Sequence, residues 1–247
     1  MTGVFIKRGM NIGIPAGGFT FSVGDDGKVS SSLTLHVHFD VCPTWINISL
    51  GHLAAARDAR SARETAWAGA DEEAKSDALE REFEASMQAI MAAAIAIDAF
   101  YAVLQPHISV PPSMLAKWRG GGTARYSQVT EIIRRAFKLQ KNGTLTLRNN
   151  LKEIYRYRDM AVHPSSKLQE AVYHPELKVG VEWRFAYYRA SNAEIAVNAV
   201  SGMLWDLCHN GKPADDKISK CIATLKSRME EIFPDGNPAV PKSTASN

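Results

Sequence analysis

The chain is poor in cysteine and lacks the cysteine spacings that hold zinc or build a disulfide framework. Its 247 residues include only Cys42, Cys208 and Cys221, with no Cys-x-x-Cys pair. Disulfide-built domains carry even sets of cysteines at close spacing, whereas a sparse, odd number is typical of a reducing compartment. The sequence therefore excludes a small secreted disulfide scaffold and favours a cytoplasmic protein.

Two further features are missing, a targeting or membrane-spanning segment and a phosphate-binding glycine loop. The first 13 residues contain no apolar core of a signal peptide. The most apolar run, residues 87–104, contains Asp98 and many alanines, so it predicts a buried core helix with no membrane association. Gly120-Gly121-Gly122 lacks a flanking Gly-x-x-x-x-Gly-Lys pattern and is interpreted as a linker. No cofactor is expected.

Charge is distributed unevenly along the chain, although the net charge is only +3. Residues 64–84 carry eight acids and two bases, whereas residues 117–158 carry eleven Lys or Arg and two acids. The basic block is compatible with binding a polyanion such as RNA. It is equally compatible with solvated helix faces that pair with the acidic segment, within one chain or between two chains.

Residues 1–42 are predicted to form a β-ribbon extension. Phe19, Phe21 and Val23 alternate with polar residues, a Gly-Asp-Asp-Gly turn follows, and a second alternating run continues to Phe39. The other face of that second strand carries four potential metal ligands, His36, His38, Asp40 and Cys42. Same-face neighbours on a strand lie about 7 Å apart, so these four side chains do not reach one ion. The polar face of an amphipathic strand is the better interpretation, and no metal site is predicted.

Residues 43–233 are predicted to form a helical domain, and the Pro- and Ser-rich residues 234–247 a disordered tail. Apolar periodicity predicts helices near 44–67, 72–104, 113–118, 127–140, 144–163, 191–210 and 214–233. Asp71 is predicted to cap the second of these helices, Lys141-Asn142-Gly143 to close the fourth, and Thr144 to cap the fifth. The alternation in 179–188 predicts an extended segment, and Ser191-x-x-Glu194 a capping box. Its helix is predicted to bury Ile195, Ala199, Met203 and Leu207. The fold class is therefore mainly α, a helical bundle with a small N-terminal β-hairpin extension.

The segment 155–166 contains the strongest functional motif, Arg158 followed by His163. Arg158 falls on the apolar stripe of its helix, four residues after Ile154, where a charge is costly unless it is paired or functional. Pro164 disfavours helix in the residue before it, so the helix is expected to end near His163. An arginine clamps an anion well, and a histidine exchanges protons near neutral pH. Asp98 falls on the apolar stripe of another helix and is expected to pair with Arg158.

These residues resemble the HEPN superfamily of small all-α domains. The resemblance rests on Arg158-Asp159-x-x-x-His163 at a helix end, on the alanine-rich helix 85–104 with its Asp98, and on the following helix 191–208. It covers roughly residues 80–230. It implies a homodimer with the arginines and histidines brought together, and a metal-independent endoribonuclease acting as a toxin or phage-defence effector, controlled by a separate antitoxin protein. Other members of the family are inactive and serve as binding or dimerisation modules.

Under the nuclease interpretation, His163 transfers a proton and Arg158 stabilises charge on the phosphoryl oxygens. Asp159 and Asp98 orient these two side chains. The candidate RNA-binding residues are Lys152, Tyr155, Arg156 and Tyr157. The alternative is a non-catalytic interaction or dimerisation module in which Arg158 forms a structural ion pair with Asp98.

Overall fold

The computed structural model describes residues 4–7, 9–163 and 167–239. The chain divides into two compact units, residues 1–41 and residues 42–247. In the described residues, the first unit contains two strand pairs and the second contains the helices with one short hairpin. The predicted fold class, mainly α with a small N-terminal hairpin, is confirmed.

The N-terminal unit consists of two antiparallel strand pairs. β2 (Phe19–Val23) pairs with β3 (Val29–Leu33) across the predicted turn, and Gly27 takes a φ of 74° that favours glycine. β1 (Met10–Gly13) pairs with β4 (His36–Phe39). The predicted second strand is therefore two strands, because residues 34 and 35 interrupt it between the two pairings.

The helical unit is built around its longest helix, α2. The helices are α1 (Cys42–Trp67), α2 (Glu72–Leu104), α3 (Pro112–Arg119), α4 (Arg125–Ala136), α5 (Lys141–Val162), α6 (Trp183–Tyr187), α7 (Ala190–His209) and α8 (Asp216–Ile232). The side chain of Asp71 accepts hydrogen bonds from the Glu73 and Ala74 amides, so α2 begins at the predicted cap. α2 packs against α1 along its length and also against α4, α5 and α7.

A band of alanines on α2 determines how closely its neighbours approach. Ala89, Ala92, Ala93, Ala94 and Ala96 are all buried. A methyl side chain adds little bulk between two helix backbones, so α1 and α7 pack closely against this helix. The rest of the core comes from α1, α4, α5, α7 and α8.

One stretch of the described chain, Glu72–His107, is long and apolar enough to cross a membrane by length and composition. Half of its most apolar window is buried inside the protein. A spanning helix would offer these side chains to lipid, whereas here they form the core together with the other helices. This is the packing of a core helix, as its alanines and Asp98 predicted.

Several predicted helix boundaries are wrong, most clearly around α5. Lys141-Asn142-Gly143 does not close α4, because α4 ends at Ala136 and α5 already begins at Lys141. The chain turns at Lys138, which takes a left-handed φ of 50° without being glycine. The Thr144 hydroxyl donates to the Gln140 carbonyl inside the helix and caps nothing.

Half of the predicted extended segment 179–188 is helical. Only Gly180–Val181 is a strand, β6, which pairs with β5 (Val172–Tyr173), and Trp183–Tyr187 forms the short helix α6. The Glu182 carboxylate accepts a hydrogen bond from the Arg184 amide and begins this helix. The alternation predicted a strand, but Trp183 and Tyr187 are also four residues apart, a spacing at which aromatic side chains pack on one side of a helix.

The predicted capping box on α7 is also wrong. α7 begins at Ala190 without a cap from the side chain of the preceding Arg189. Ser191 donates to Glu176, and Glu194 pairs with Arg57 on α1. The predicted inner face is only partly right, since Leu207 is buried as predicted whereas Ile195 is 68% exposed. The buried face consists mainly of smaller residues, Ala193, Ala196, Val197, Val200 and Leu204.

Part of the predicted disordered tail lies against α7. The amide of Asn237 donates to Asp206 Oδ1 at 2.8 Å, and a Cβ on Gly202 would lie 2.4 Å from that of Ala239. The chain up to residue 239 therefore packs on a surface that glycine leaves open. The remaining predicted tail, residues 240–247, lies outside the described residues.

Gly211, just after α7, is expected to be intolerant of alanine. A Cβ at this position would lie 2.2 Å from the Leu207 carbonyl oxygen and 2.7 Å from a Phe137 ring carbon. Gly211→Ala should therefore lower the free energy of unfolding by about 1–3 kcal/mol. Gly51→Ala is the matched control. It lies inside α1 with open space around it, and should raise stability by about 0.5–1 kcal/mol in urea unfolding. Equal effects of the two substitutions would contradict this account.

Candidate functional site

Helix α5 carries the predicted motif and ends where the sequence predicted. Its last residue is Val162, and His163 caps it with a backbone N–H that donates to the Asp159 carbonyl at 2.9 Å. The His163 side chain is exposed. Pro164, which predicted this end, lies outside the described residues.

Asp98 on α2 receives three hydrogen bonds from two neighbouring helices. Its Oδ2 accepts from Arg158 Nη1 at 2.9 Å, so the predicted contact between these residues is present. Its Oδ1 accepts from the Tyr155 hydroxyl at 2.7 Å and from Arg125 Nε at 2.8 Å. The Asp98 carboxylate therefore fixes α4 and α5 to α2 with charge-assisted bonds.

The charge of Asp98 shifts the protonation of its neighbours. Burial and the Asp98 carboxylate raise the pKa of Tyr155, so its hydroxyl remains a hydrogen-bond donor at neutral pH. Burial opposes the charge of Arg125, but the hydrogen bond and charge of Asp98 outweigh it and raise the pKa of that guanidinium. The Arg125 guanidinium also lies 4.0 Å from the Tyr101 ring centroid.

Arg158 is held by two carboxylates. In addition to its bond with Asp98, its Nε lies 3.3 Å from Asp159 Oδ1. The Arg158 side chain is 25% exposed and the Asp98 side chain 27% exposed, so the pair is half-buried near the surface. This placement orients the Arg158 guanidinium but leaves it fewer free donors for a ligand than a surface arginine has.

An open groove of about 520 Å³ runs between α4 and α5. Its lining residues are Ala124, Arg125, Tyr126, Lys152, Tyr155, Arg156, Asp159, Met160 and His163. Three cations and one carboxylate face this groove together with His163. Cationic side chains in a concave surface concentrate positive potential and attract anions. The groove therefore offers an anion-binding surface beside an exposed histidine.

The basic surface continues along α5 beyond the groove. Arg148, Lys152, Arg156 and His163 follow one another at intervals of four or seven residues, which places them along one side of a helix. The Arg148 guanidinium lies 5.8 Å from the Tyr126 ring centroid on α4. The α4–α5 surface thus combines an extended row of cations with an aromatic ring.

The predicted site residues separate into three positions. Lys152, Tyr155, Arg156, Asp159 and His163 line the groove, whereas Asp98 and Arg158 form the ion pair beside it. Tyr157 lies elsewhere, with its ring centroid 6.1 Å from that of Tyr187, and burial raises the pKa of its hydroxyl.

Sequence reasoning missed Arg125 and Tyr126 in this groove. Both begin α4, whose start the sequence placed at residue 127. A signal for Arg125 was available, because an acid on a core-facing stripe needs cations and Arg125 belongs to the basic block. Arg125 lies 27 residues after Asp98, on another helix, so no local sequence pattern linked these two residues.

A second pocket of about 330 Å³ adjoins the groove at the end of α5. It is lined by Met160, His163, Gln169, Val172, Trp183 and Tyr187, so it shares Met160 and His163 with the groove. The short helix α6 supplies both of its aromatic rings, which the structure therefore brings next to the predicted motif.

A separate buried ion-pair network lies between α1, α2 and the β5–β6 hairpin. Arg63 on α1 is 1% exposed and pairs with Glu82 on α2 and with Glu176 in the hairpin turn. The Glu82 carboxylate also accepts from the Ala190 amide at 3.0 Å, at the start of α7. The network therefore connects α1, α2, the β5–β6 hairpin and the start of α7.

His174 stabilises the turn of this hairpin, which the sequence did not reveal. Its Nδ1 accepts backbone N–H groups from Glu176 at 3.3 Å and from Leu177 at 3.1 Å. Burial and the charge of Arg63 lower the pKa of His174 below its ordinary value of 6.5. The folded protein therefore holds this imidazole neutral where the unfolded chain would protonate it.

This pKa difference predicts that stability falls on acidification below about pH 6.5. Between that value and the lower folded-state pKa, the unfolded chain binds the additional proton, so the free energy of unfolding decreases by up to about 1.4 kcal/mol per pH unit. His174→Asn keeps an acceptor for the turn but does not titrate, so urea unfolding from pH 7.5 to 5 should show a shallower loss. Parallel curves for wild type and His174→Asn would contradict the prediction.

Across the residues that the structure describes, no three His, Cys, Asp or Glu side chains cluster in a way that could hold a metal ion. His36 and His38 lie on β4, whereas Cys42 begins α1.

Comparison of the chain with protein-family models, curated proteins and solved structures finds no significant match. The resemblance to the HEPN superfamily therefore remains a prediction that depends on the motif residues.

Proposed function

We propose that this chain is a metal-independent endoribonuclease of the HEPN type that binds RNA in the groove between α4 and α5. The observation that carries the proposal is the convergence of Arg125, Lys152 and Arg156 on one open groove with the exposed His163. Cations supply the backbone affinity for RNA, and a histidine supplies proton transfer near neutral pH.

The proposed reaction is a transesterification within RNA. The 2′-hydroxyl oxygen attacks the adjacent phosphorus, the bond from phosphorus to the 5′-oxygen breaks, and a 2′,3′-cyclic phosphate and a 5′-hydroxyl result. The 2′-hydroxyl loses a proton and the leaving oxygen gains one, and His163 carries out one of these transfers. Arg125 and Lys152 stabilise the negative charge that develops on the phosphoryl oxygens.

Asp98 and Asp159 act as positioning residues in this proposal. Asp98 holds Arg125 and Arg158 side by side through its two oxygens, and Asp159 holds Arg158 from the other side. A fixed guanidinium loses less conformational entropy when a phosphate binds. This assigns the direct phosphate contact to Arg125, in addition to the Arg158 that the sequence motif indicated.

The proposal includes a cytoplasmic homodimer, a toxin or phage-defence role and a separate antitoxin protein. A second protomer would supply a second His163, so that one imidazole accepts the proton and the other donates one. The cytoplasmic assignment rests on the few cysteines in the sequence.

A non-catalytic interaction or dimerisation module is the second candidate function. The observation that favours it is that two carboxylates already bind Arg158, as expected for a structural ion pair. In that case, the chain would form a dimer without cleaving RNA.

RNA cleavage in the presence of EDTA tests the proposal against this alternative. Wild type should cleave single-stranded RNA and leave cyclic phosphate ends, whereas an intact RNA at micromolar protein would reject the nuclease.

Binding of RNA to the groove should also weaken steeply as the salt concentration rises. Lys152→Gln and Arg156→Gln should each reduce the slope of log K against log salt by about 1. Lys220→Gln, at an exposed position on α8, is the matched control and should leave that slope unchanged.

A further inference from the structure

The pocket at the end of α5 differs in chemistry from the groove that it adjoins. Among the described residues, the groove lining contains three cations, whereas the pocket lining contains no lysine, arginine or carboxylate. We propose that this pocket holds one nucleobase of a single-stranded RNA whose phosphate lies in the groove, and so selects the base beside the cleaved bond. This inference rests on the proposed function.

Two aromatic rings form one wall of the pocket. Trp183 and Tyr187 stand four residues apart on α6 and therefore on one side of that helix. Their ring centroids lie 5.8 Å apart at an interplanar angle of 81°. A planar base gains stacking energy on such rings without requiring a charge.

This aromatic wall is held in place from behind. Tyr157 on α5 packs against Tyr187 with 6.1 Å between the ring centroids. The Tyr188 hydroxyl donates to the Tyr157 carbonyl at 2.6 Å, which fastens the end of α6 to α5. The rings are thus positioned before any ligand binds, which lowers the entropic cost of binding.

The remaining lining suits the edge of a neutral heterocycle. Gln169 is exposed at the rim and offers an amide with both a donor and an acceptor. Met160 and Val172 supply apolar contacts. The Arg184 and Arg156 guanidinium groups lie 5.4 Å and 5.7 Å from the Trp183 and Tyr187 ring centroids but do not line the pocket. The lining residues themselves offer a base stacking surfaces and hydrogen-bonding groups.

The shared residues connect the base to the reaction. His163 and Met160 line both the pocket and the groove, so a nucleotide with its base in the pocket places its own phosphate close to His163. A base enters such a pocket only when it is unpaired and unstacked. The substrate class is therefore single-stranded RNA, and duplex RNA is excluded.

Binding of short oligonucleotides tests the pocket independently of cleavage. The probes are fluorescein-labelled RNA hexamers of A, C, G or U with 2′-O-methyl sugars, which cannot react, and an abasic oligomer of equal length and charge. In fluorescence anisotropy, wild type should bind at least one hexamer about tenfold more tightly than the abasic oligomer. Equal affinity for all five probes would overturn the base pocket, even for a protein that cleaves RNA.

Variants then assign this preference to the pocket. Trp183→Leu and Tyr187→Leu should bring the ratio of base-containing to abasic affinity close to 1. Gln169→Ala, at an exposed position, should change the order of preference among bases while the fold is retained. Gln88→Ala, exposed on α2, is its matched control. An unchanged base order in Gln169→Ala together with unchanged ratios in the aromatic variants would overturn the assignment.

The two proposals fail in different ways. Base-dependent binding that the aromatic variants abolish, without any cleavage in EDTA, supports the pocket and rejects the nuclease. Cleavage with identical rates on every base and in every pocket variant supports the nuclease and rejects the pocket.

Discussion

His163→Ala is expected to lower the rate of RNA cleavage by at least about 100-fold, because a positioned general acid or base contributes about 10²–10⁴-fold. The exposed His163 side chain contributes little to packing, so the free energy of unfolding should change by no more than about 0.5 kcal/mol. Single-turnover cleavage of a labelled single-stranded RNA in EDTA, with urea unfolding of the same preparation, measures both quantities.

The control for this experiment is His107→Ala. His107 is also exposed, but it lies in the short 3-10 turn Gln105–His107 after α2 and does not line the groove. It should cleave at the wild-type rate. Wild-type cleavage by His163→Ala would place proton transfer on another residue, whereas a large loss in His107→Ala would point to a contaminating nuclease or a folding defect.

Arg63→Met is expected to have the largest effect on stability, a loss of about 3–5 kcal/mol in the free energy of unfolding. Arg63 is 1% exposed, and removing its charge leaves the equally buried carboxylate of Glu82 without its cation. An unpaired buried charge costs far more than an exposed one. Urea unfolding monitored by circular dichroism measures the loss.

The double variant Arg63→Met/Glu82→Gln tests the cause. A glutamine at position 82 still accepts the Ala190 amide hydrogen bond but carries no charge, so the double variant should be more stable than Arg63→Met alone. Arg60→Met is the matched control one turn away. Its side chain is 39% exposed and should cost less than about 1 kcal/mol. A double variant less stable than the single would reject the unpaired-charge explanation.

The sequence correctly predicted those helix boundaries that depend on apolar periodicity and on local capping residues. The apolar stripe and Asp71 placed α2 at its observed bounds, and the rule for residues before proline placed the end of α5 beside His163. The pairing of Asp98 with Arg158 was also predictable, because a charge on an inward stripe requires an opposite charge nearby.

Contacts between distant segments could not be predicted in this way. Arg63 reaches Glu176 across 113 residues, and no local pattern marks either of them. The prediction of an extended segment at 179–188 was wrong for another reason. The alternation of its aromatic residues is compatible with a strand and also with the helix α6. Trp183 and Tyr187 of α6 line the proposed base pocket. Because the sequence did not predict this helix, it did not predict the pocket either.

The band of alanines along α2 has a consequence for how the protein tolerates substitution. In a scan of every amino acid at these positions, acceptance should follow side-chain volume, and hydrophobicity should matter much less. Serine and glycine at Ala93 should be accepted more readily than leucine or phenylalanine, because Ala93 is fully buried and a larger side chain would push α2 away from the helices packed on it. Substitutions on the buried face of α2 are therefore limited by the available volume, and tolerated substitutions should be found mainly at its exposed positions.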